Sequence, residues 1–364
     1  MNILKNSVGV WAFGPAVTRF VPPGYHSEVT DEPMVDKTRR ICEGLHDILD
    51  GLEYHYPGEV NEENAQEILA ILSEHGMDLP VIAAGLHPDP TYGKGAFINP
   101  DEKLRRQGID TLKRGIDLSG EIGANFIIWP GAEGYNYAFQ RSYAEAWRAF
   151  TEGVAELTDH ANENNVKVFL EHKNSEPAMK ILMRNIGMAL FTIQKVGALG
   201  VDTSNLMVNM DWQHLIMNGE PLAEYADLLA MEGKLGHQHA NDGWGAFDDD
   251  NVVGTNFFVQ TLELAQTLQD VGYGTYGELL GYDLYPYTED QIGAVRRAIL
   301  QWEYIYDLAA RIDREALREA KAGADALAGQ RAFYRILGMD TEYEAEVIDR
   351  RREAKVQRSG EAPK

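Results

Sequence analysis

Cysteine is nearly absent from this chain: Cys42 is the only one in 364 residues. A single thiol excludes an intrachain disulfide and a cysteine zinc cluster, and it suits a reducing cytoplasm. Cys42 itself reads as a small hydrophobe on a helix. Positive charge is also scarce, with 33 Lys and Arg against 57 Asp and Glu and a formal net charge of −24. Nucleic acids and anionic membranes attract basic patches, so neither is an expected partner. No run approaches the roughly 18 apolar residues of a spanning helix. The opening MNILKNSVGVWAFG lacks the long apolar core of a signal peptide. The expectation is a soluble, cytoplasmic globular protein. Hydrophobic residues at 44% are ample for a sizeable core.

What is present is alternation. Short β-like runs, at Ser7–Ala12, Gly51–His55, Leu79–Ala84, Asn125–Trp129, Val166–Glu171, Leu206–Met210, Gly236–Ala240 and Gly277–Asp283, are separated by amphipathic stretches. The latter predict helices over Met34–Leu49, Asn64–Glu74, Pro100–Ile122, Ser142–Asn164, Ala178–Val196, Leu222–Met231, Thr255–Val271 and Thr288–Ala309. Strict alternation implies parallel strands with helical crossovers, and eight units close naturally into a (β/α)8 TIM barrel. Residues 1–312 are assigned to this barrel. Residues 313–364 are charged and Ala-rich without a strand signal. They are read either as a solvated tail or as a helical arm at a subunit interface, anchored by Phe333, Tyr334, Ile336 and Leu337, because AFYRILGM is too apolar to leave in water.

Carboxylates and histidines then appear where four consecutive strand-like runs end: Glu171 and Lys173, Asp211 and His214, His239 with Asp248 and Asp250 beyond it, and Asp283. In a barrel those positions face the active-site mouth, and buried charges there need a partner or a metal. The residues sort into two candidate ligand sets, Glu171/Asp211/His239/Asp283 and Asp211/His214/Asp248/Asp250. Oxygen and imidazole ligands without thiolate suit Mn²⁺, Mg²⁺ or Co²⁺. Two ions sharing a carboxylate can polarise neighbouring substrate oxygens.

Other residues have two readings each. Lys173 shares a strand face with Glu171; it is a charge partner or a group that steadies a developing oxyanion. His55 is a core histidine or a general acid/base at the barrel mouth. Trp11, Phe97 and Trp129 are core or an apolar wall for substrate. His237 is a substrate contact or a buried histidine. His172 is expected to pack between strand and helix, Asp249 to point to solvent, and Asp242 to brace a histidine. Glu278 competes with Asp283 for the last ligand position.

With these residues in place the sequence resembles the xylose isomerase family and its relative L-rhamnose isomerase. EHKNSEP is similar to the E-x-K-x-x-E-P motif of xylose isomerases, with Glu171 as ligand and Lys173 as the active-site lysine. LEYHY puts His55 where that family keeps its ring-opening histidine, FDDDN resembles its Y-D-x-D loop, and YPYTED its final ligand strand. The Glu, Asp, His, Asp order of ligands is that of L-rhamnose isomerases, as is the D-x-x-H pair. A lysine that xylose isomerases carry after the last ligand is absent, with Tyr285 near its place. The resemblance covers about residues 7–310.

It implies a metal-dependent aldose–ketose isomerase with two divalent ions per chain. Hydride would pass between C1 and C2 while His55 assists ring opening and Lys173, His214 and Asp250 serve the chemistry. A small sugar is the expected substrate and a homodimer or homotetramer the expected assembly. Rival readings are a ketose 3-epimerase, which needs one ion and two opposed carboxylates, and a C-glycoside-cleaving subunit, which needs a partner chain. An endonuclease on the same barrel type conflicts with the −24 charge.

Overall fold

The computed structural model describes residues 3–359; the polar end over 360–364 lies outside them. The chain divides into two compact units, Met1–Trp302 and Glu303–Lys364. Eight parallel strands of the first unit close a barrel in the order of the chain. They are β1 (Asn6–Gly9), β2 (Gly51–Tyr56), β3 (Asp78–Ala84), β4 (Asn125–Ile128), β5 (Val168–Glu171), β6 (Leu206–Asp211), β7 (Leu235–Ala240) and β8 (Leu280–Tyr282). The helices between them are α1 (Met34–Leu45), α2 (Ala65–Glu74), α3 (Glu102–Ile122), α4 (Tyr143–Glu163), α5 (Ile186–Ala198), α6 (Trp212–Asn218), α7 (Leu222–Met231) and α8 (Phe258–Asp270). The (β/α)8 TIM barrel expected from the alternation is therefore present.

Alternating residues of the strands fill the barrel. Val81 and Ala83 from β3, Ile127 from β4 and Phe169 from β5 form a buried cluster, with Trp129 and Met207 packed on it. Burial of side chains of this kind stabilises by about 1.5–3 kcal/mol each. Outside, α3 illustrates how a helix is seated. Asp101 caps its start by accepting from Lys103 N, and Gly123, at φ 77°, ends it in the left-handed region. Within its buried face Gly115 lets the helix approach the sheet, since a Cβ there would lie 2.9 Å from both Phe126 and Tyr56.

Several expected elements differ at their ends, the helix expected over Met34–Leu49 stopping at Leu45, for example, and three of the differences have a clear local cause. The first strand stops at Gly9, and Val10–Phe13 form a 3₁₀ turn. The Trp11 indole folds back over Gly9, where any Cβ would sit 2.0 Å from it. Residues 178–185 are not helical; Lys180–Ile181 pair antiparallel with Gly134–Tyr135. The helix begins only after Asn185, whose side chain accepts from Met188 N at 2.9 Å. The last strand begins at Leu280 rather than Gly277 because Glu278 is occupied in holding a turn, accepting from Gly274 N and Tyr276 N at 3.0 Å each.

The division between the units falls within α9 (Gln291–Ala310), ahead of the Ile312 boundary read from composition. The second unit continues with α10 (Arg314–Ala322), α11 (Ala326–Ile336) and α12 (Thr341–Ser359). Aspartates open each: Asp313 accepts from Glu315 N and Ala316 N, Asp325 from Leu327 N and Ala328 N, and Asp340 from Glu342 N and Tyr343 N. Of the expected anchors, Phe333 and Ile336 are half-buried, while Tyr334 and Leu337 are exposed. Among the described residues no helix is long and apolar enough to cross a membrane.

Candidate metal centre and active site

Barrel register brings the strand-end residues together. Asp211 on β6 pairs with His239 on β7, and His239 with Gly281 on β8. Glu171 ends β5 and Asp283 follows β8. One ligand atom from each of Glu171, Asp211, His239 and Asp283 lies within 4.8 Å of all the others. His239 Nδ1 is 3.3 Å from Glu171 Oε2, 3.3 Å from Asp283 Oδ2 and 3.8 Å from Asp211 Oδ2.

Each carboxylate is aimed by a neighbour. Asn209 Nδ2 donates to Glu171 Oε2 at 2.8 Å, Trp11 Nε1 to Asp283 Oδ1 at 2.6 Å, and the His214 backbone N–H to Asp211 Oδ1 at 3.0 Å.

The electrostatics fit a cation. Burial pushes the Asp211 carboxyl up to about 7, and the Asp283 and Glu171 carboxylates add to this against His214. Burial disfavours a charged His239, yet the Glu171 and Asp283 carboxylates override it and raise its pKa well above the ordinary value. His239 Nδ1 is buried and has no hydrogen-bond partner. An orphaned imidazole nitrogen among three carboxylates is a donor set suited to a divalent metal.

The second expected set faces the same space but is differently engaged. His214 Nδ1 is 3.5 Å from Asp211 Oδ1, and its Nε2 is 3.2 Å from Asp248 Oδ1. Lys173 Nζ pairs with Asp248 Oδ2. Asp250, at φ 48°, accepts from Asn241 Nδ2 at 3.0 Å, and the same amide reaches both Asp211 oxygens at 3.2 and 3.3 Å. Burial opposes ionisation of Asp248, but Lys173 and His214 hold it below the usual carboxylate range. Burial, then Asp248 and Asp283, push Asp250 well above that range. For His214, burial is outweighed by Asp211 and Asp248, lifting it to about 9.

Beside the ligands stands an aromatic wall. His55 Nδ1 meets Glu59 Oε2 at 3.0 Å, and its ring lies 4.4 Å from the Trp11 ring. His87 is edge-on to His55 at 5.4 Å and to Trp129 at 4.5 Å. Lys173 Nζ sits 5.0 Å from the centre of the Trp129 ring. Burial works against a charged His55 while Glu59 favours it, and the net shift is upward. Burial, with His55 and Lys173 nearby, lowers His87 to about 3 and keeps it neutral. These walls and the ligands enclose a cavity of about 200 Å³ that also meets Tyr285.

Several residues fall elsewhere than expected. Phe97 does not reach the cavity; it is buried edge-on to Phe150 of α4. His237 lies beneath the ligands, stacked on Phe169 at 5.7 Å. Asp249 is buried, accepting from Trp244 N at 2.5 Å, and does not point to solvent. Asp242 braces no histidine; it accepts from Gly243 N, Asn256 N and Phe257 N and pins the loop before α8. His172, by contrast, is buried as expected, edge-on to His214 of α6 at 5.8 Å.

Sequence reasoning missed Glu53, Glu59, His87, Asn209 and Asn241. Glu59 carried a usable signal, four residues after His55 in HYPGE. Glu53, inward-facing in a strand otherwise rich in apolar residues, carried one too.

Comparison with known proteins agrees with this architecture. The family model described as "xylose isomerase-like TIM barrel" matches residues 48–282. A xylose isomerase from Thermus thermophilus is 25% identical over 221 residues, which is 60% of this chain and 56% of the relative. The match thus spans little more than half that relative's length. Among solved structures, a D-tagatose 3-epimerase-like protein has a TM-score of 0.63 at 15% identity, covering 84% of this chain and 98% of its own. A 3-keto-D-glucoside 4-epimerase from E. coli has 0.59 at 18%, covering 83% of this chain and 100% of its own. An L-ribulose 3-epimerase has 0.60 at 15%, covering 89% of this chain and 99% of its own. At those identities the structural likeness speaks to the fold alone. The family model matches well over half of the chain, which belongs to the xylose isomerase-like TIM barrel family.

Proposed function

We propose that this chain is a metal-dependent aldose–ketose isomerase acting on a small sugar. The observation that carries the reading is the cavity itself: Lys173, Asp248 and Asp250 line it together with Glu171, His239 and Asp283, His55 and two tryptophans. Glu171, Asp211, His239 and Asp283 would hold one divalent ion, Mn²⁺, Mg²⁺ or Co²⁺. His214, Asp248 and Asp250, with Asp211, would take a second. Such ions supply Lewis-acid polarisation of adjacent sugar oxygens.

The chain's own groups do the rest. Trp11 and Trp129 offer flat apolar faces to the sugar's C–H groups and exclude water. With Nδ1 held by Glu59, His55 has Nε2 left to pass a proton to the ring oxygen as the sugar opens. The Lys173 ammonium, anchored by Asp248, has further N–H donors to steady the carbonyl oxygen. Asp250 accepts the proton leaving the C2 hydroxyl as hydride passes from C2 to C1, and a proton returns to O1. Orientation within the cavity contributes much of the rate.

The epimerase reading needs two carboxylates opposed across the substrate. It has no need of Asp248 and Asp250, and both line this cavity beside Lys173, which favours the isomerase. A cytoplasmic setting is consistent with the single buried Cys42. Assembly into a dimer or tetramer is supported by the apolar side chains that the second unit exposes, such as Leu327 at 64% and Ile348 at 50%. The direct test is turnover of a panel of aldoses and ketoses by the Mn²⁺-loaded protein, with Lys173→Met beside it. C1–C2 interconversion that fails in the variant is expected; equal activity in both contradicts the role of Lys173.

A further inference from the structure

Beneath the ligand cluster lies a buried carboxylate that the proposed reaction does not use. Glu53 on β2 is fully buried. Its Oε1 accepts from Ser7 Oγ at 2.6 Å and is 3.1 Å from His237 Nε2, while its Oε2 is 3.1 Å from His239 Nε2. The three contacts come from β1 and β7, on either side of β8 in the barrel.

An ionised carboxylate only accepts hydrogen bonds. Ser7 Oγ donates to Glu53, and His237 Nε2 and His239 Nε2, each 3.1 Å from a carboxylate oxygen, are placed to do the same. For His239 this has one consequence at the other end of the ring. With the proton on Nε2, the lone pair of the neutral imidazole lies on Nδ1, the atom facing Glu171, Asp211 and Asp283. That same Nδ1 is the buried nitrogen without a hydrogen-bond partner.

Gly281 is shaped to the arrangement. It pairs with both His239 and Ser7 in the ladder. A Cβ on it would lie 2.4 Å from Glu53 Oε1 and 2.8 Å from His237 Nε2. The carboxylate and the histidine occupy the volume that a side chain on β8 would fill.

We propose that Glu53 is the positioning residue of the metal centre: it fixes the tautomer and ring orientation of His239 so that Nδ1 is ready to ligate. A carboxylate or carbonyl behind a ligating histidine is the usual source of such control. The proposal rests on the metal reading of Glu171, Asp211, His239 and Asp283.

Glu53→Gln tests it. Glutamine keeps the size but offers one acceptor oxygen, and its amide N–H₂ must face one of the three donors. Mn²⁺ affinity is measured by titration of the metal-free full chain, with circular dichroism and a thermal melt to establish folding. The expected result is a folded variant whose Mn²⁺ dissociation constant is larger by about ten- to a hundredfold. A folded variant within twofold of the parent overturns the role of Glu53 and leaves the metal reading intact. A parent chain that binds no Mn²⁺ overturns the metal reading and this proposal with it.

Should the variant fail to fold, nitrogen-15 NMR of the parent protein loaded with Zn²⁺ decides the matter. A proton on His239 Nε2 with Nδ1 unprotonated is expected, and a proton on Nδ1 contradicts the proposal.

Discussion

Trp11 Nε1 donates to Asp283 Oδ1 at 2.6 Å, joining residues 272 apart in sequence across the seam where the first and last strands meet. The indole therefore does two things at once: it walls the cavity and aims the last carboxylate of the candidate metal cluster. Trp11→Phe keeps most of the wall and removes the donor. A hydrogen bond to a charged group is worth about 1.5–3 kcal/mol. Mn²⁺ affinity in Trp11→Phe should accordingly fall by about ten- to a hundredfold, measured by titration, with the fold retained by circular dichroism.

If the cluster holds a metal as proposed, the metal should stabilise the fold, because the candidate site is assembled from four strand ends. An ion that binds only the native state adds about 2.7 kcal/mol at a hundred times its dissociation constant. Adding Mn²⁺ to chelator-treated protein should raise the melting temperature by several degrees, read by calorimetry. Asp211→Asn should abolish most of that rise. A melting temperature indifferent to Mn²⁺ would count against the cluster as a metal site.

Asp250 is assigned the hydroxyl proton. Asp250→Asn should lower turnover by about 10²–10⁴-fold, the range of general acid–base contributions, with folding intact by circular dichroism. Full activity in that variant removes both its catalytic role and the case for a second ion.

The His55–Glu59 pair gives a stability signature in pH. Burial opposes ionisation of Glu59, but His55 lowers its pKa below the ordinary 4.5, and His55 is itself raised above 6.5. Stability from the depressed Glu59 is present above 4.5 and lost as pH falls through its folded value. Stability from the raised His55 is present below 6.5 and lost as pH rises through its folded value. Glu59→Gln should therefore cost most between those two pH values, about 1.5–3 kcal/mol for a hydrogen bond to a charged group. The loss should shrink on both sides, as read from denaturant melts across pH.

Much of this was legible in the sequence because it is locally encoded. Strand ends announce themselves where an apolar run stops at a polar residue, so Glu171, Asp211, His239 and Asp283 were found with no knowledge of their neighbours. What was hidden depends on closure. A carboxylate inside apolar β2 marks Glu53 as unusual, but its partners His237 and His239 lie 184 and 186 residues away and meet it only when the barrel closes. Phe97 was misplaced because an apolar residue ahead of a helix can pack outward on α4 as readily as into the mouth. Asp249 was read as solvated from its two acidic neighbours, whereas the loop turns it onto Trp244 N and Gln213 Nε2.

The central claim is that hydride moves between C1 and C2 of a sugar held in this cavity. It is tested most directly by incubating the Mn²⁺-loaded protein with aldoses and ketoses in D₂O and following each carbon-bound proton by NMR. The account predicts aldose–ketose interconversion with the transferred hydrogen retained and no deuterium gained at C1 or C2, abolished by chelation. Deuterium appearing at C3 with formation of the C3 epimer would contradict it and assign the cavity to proton-transfer epimerisation.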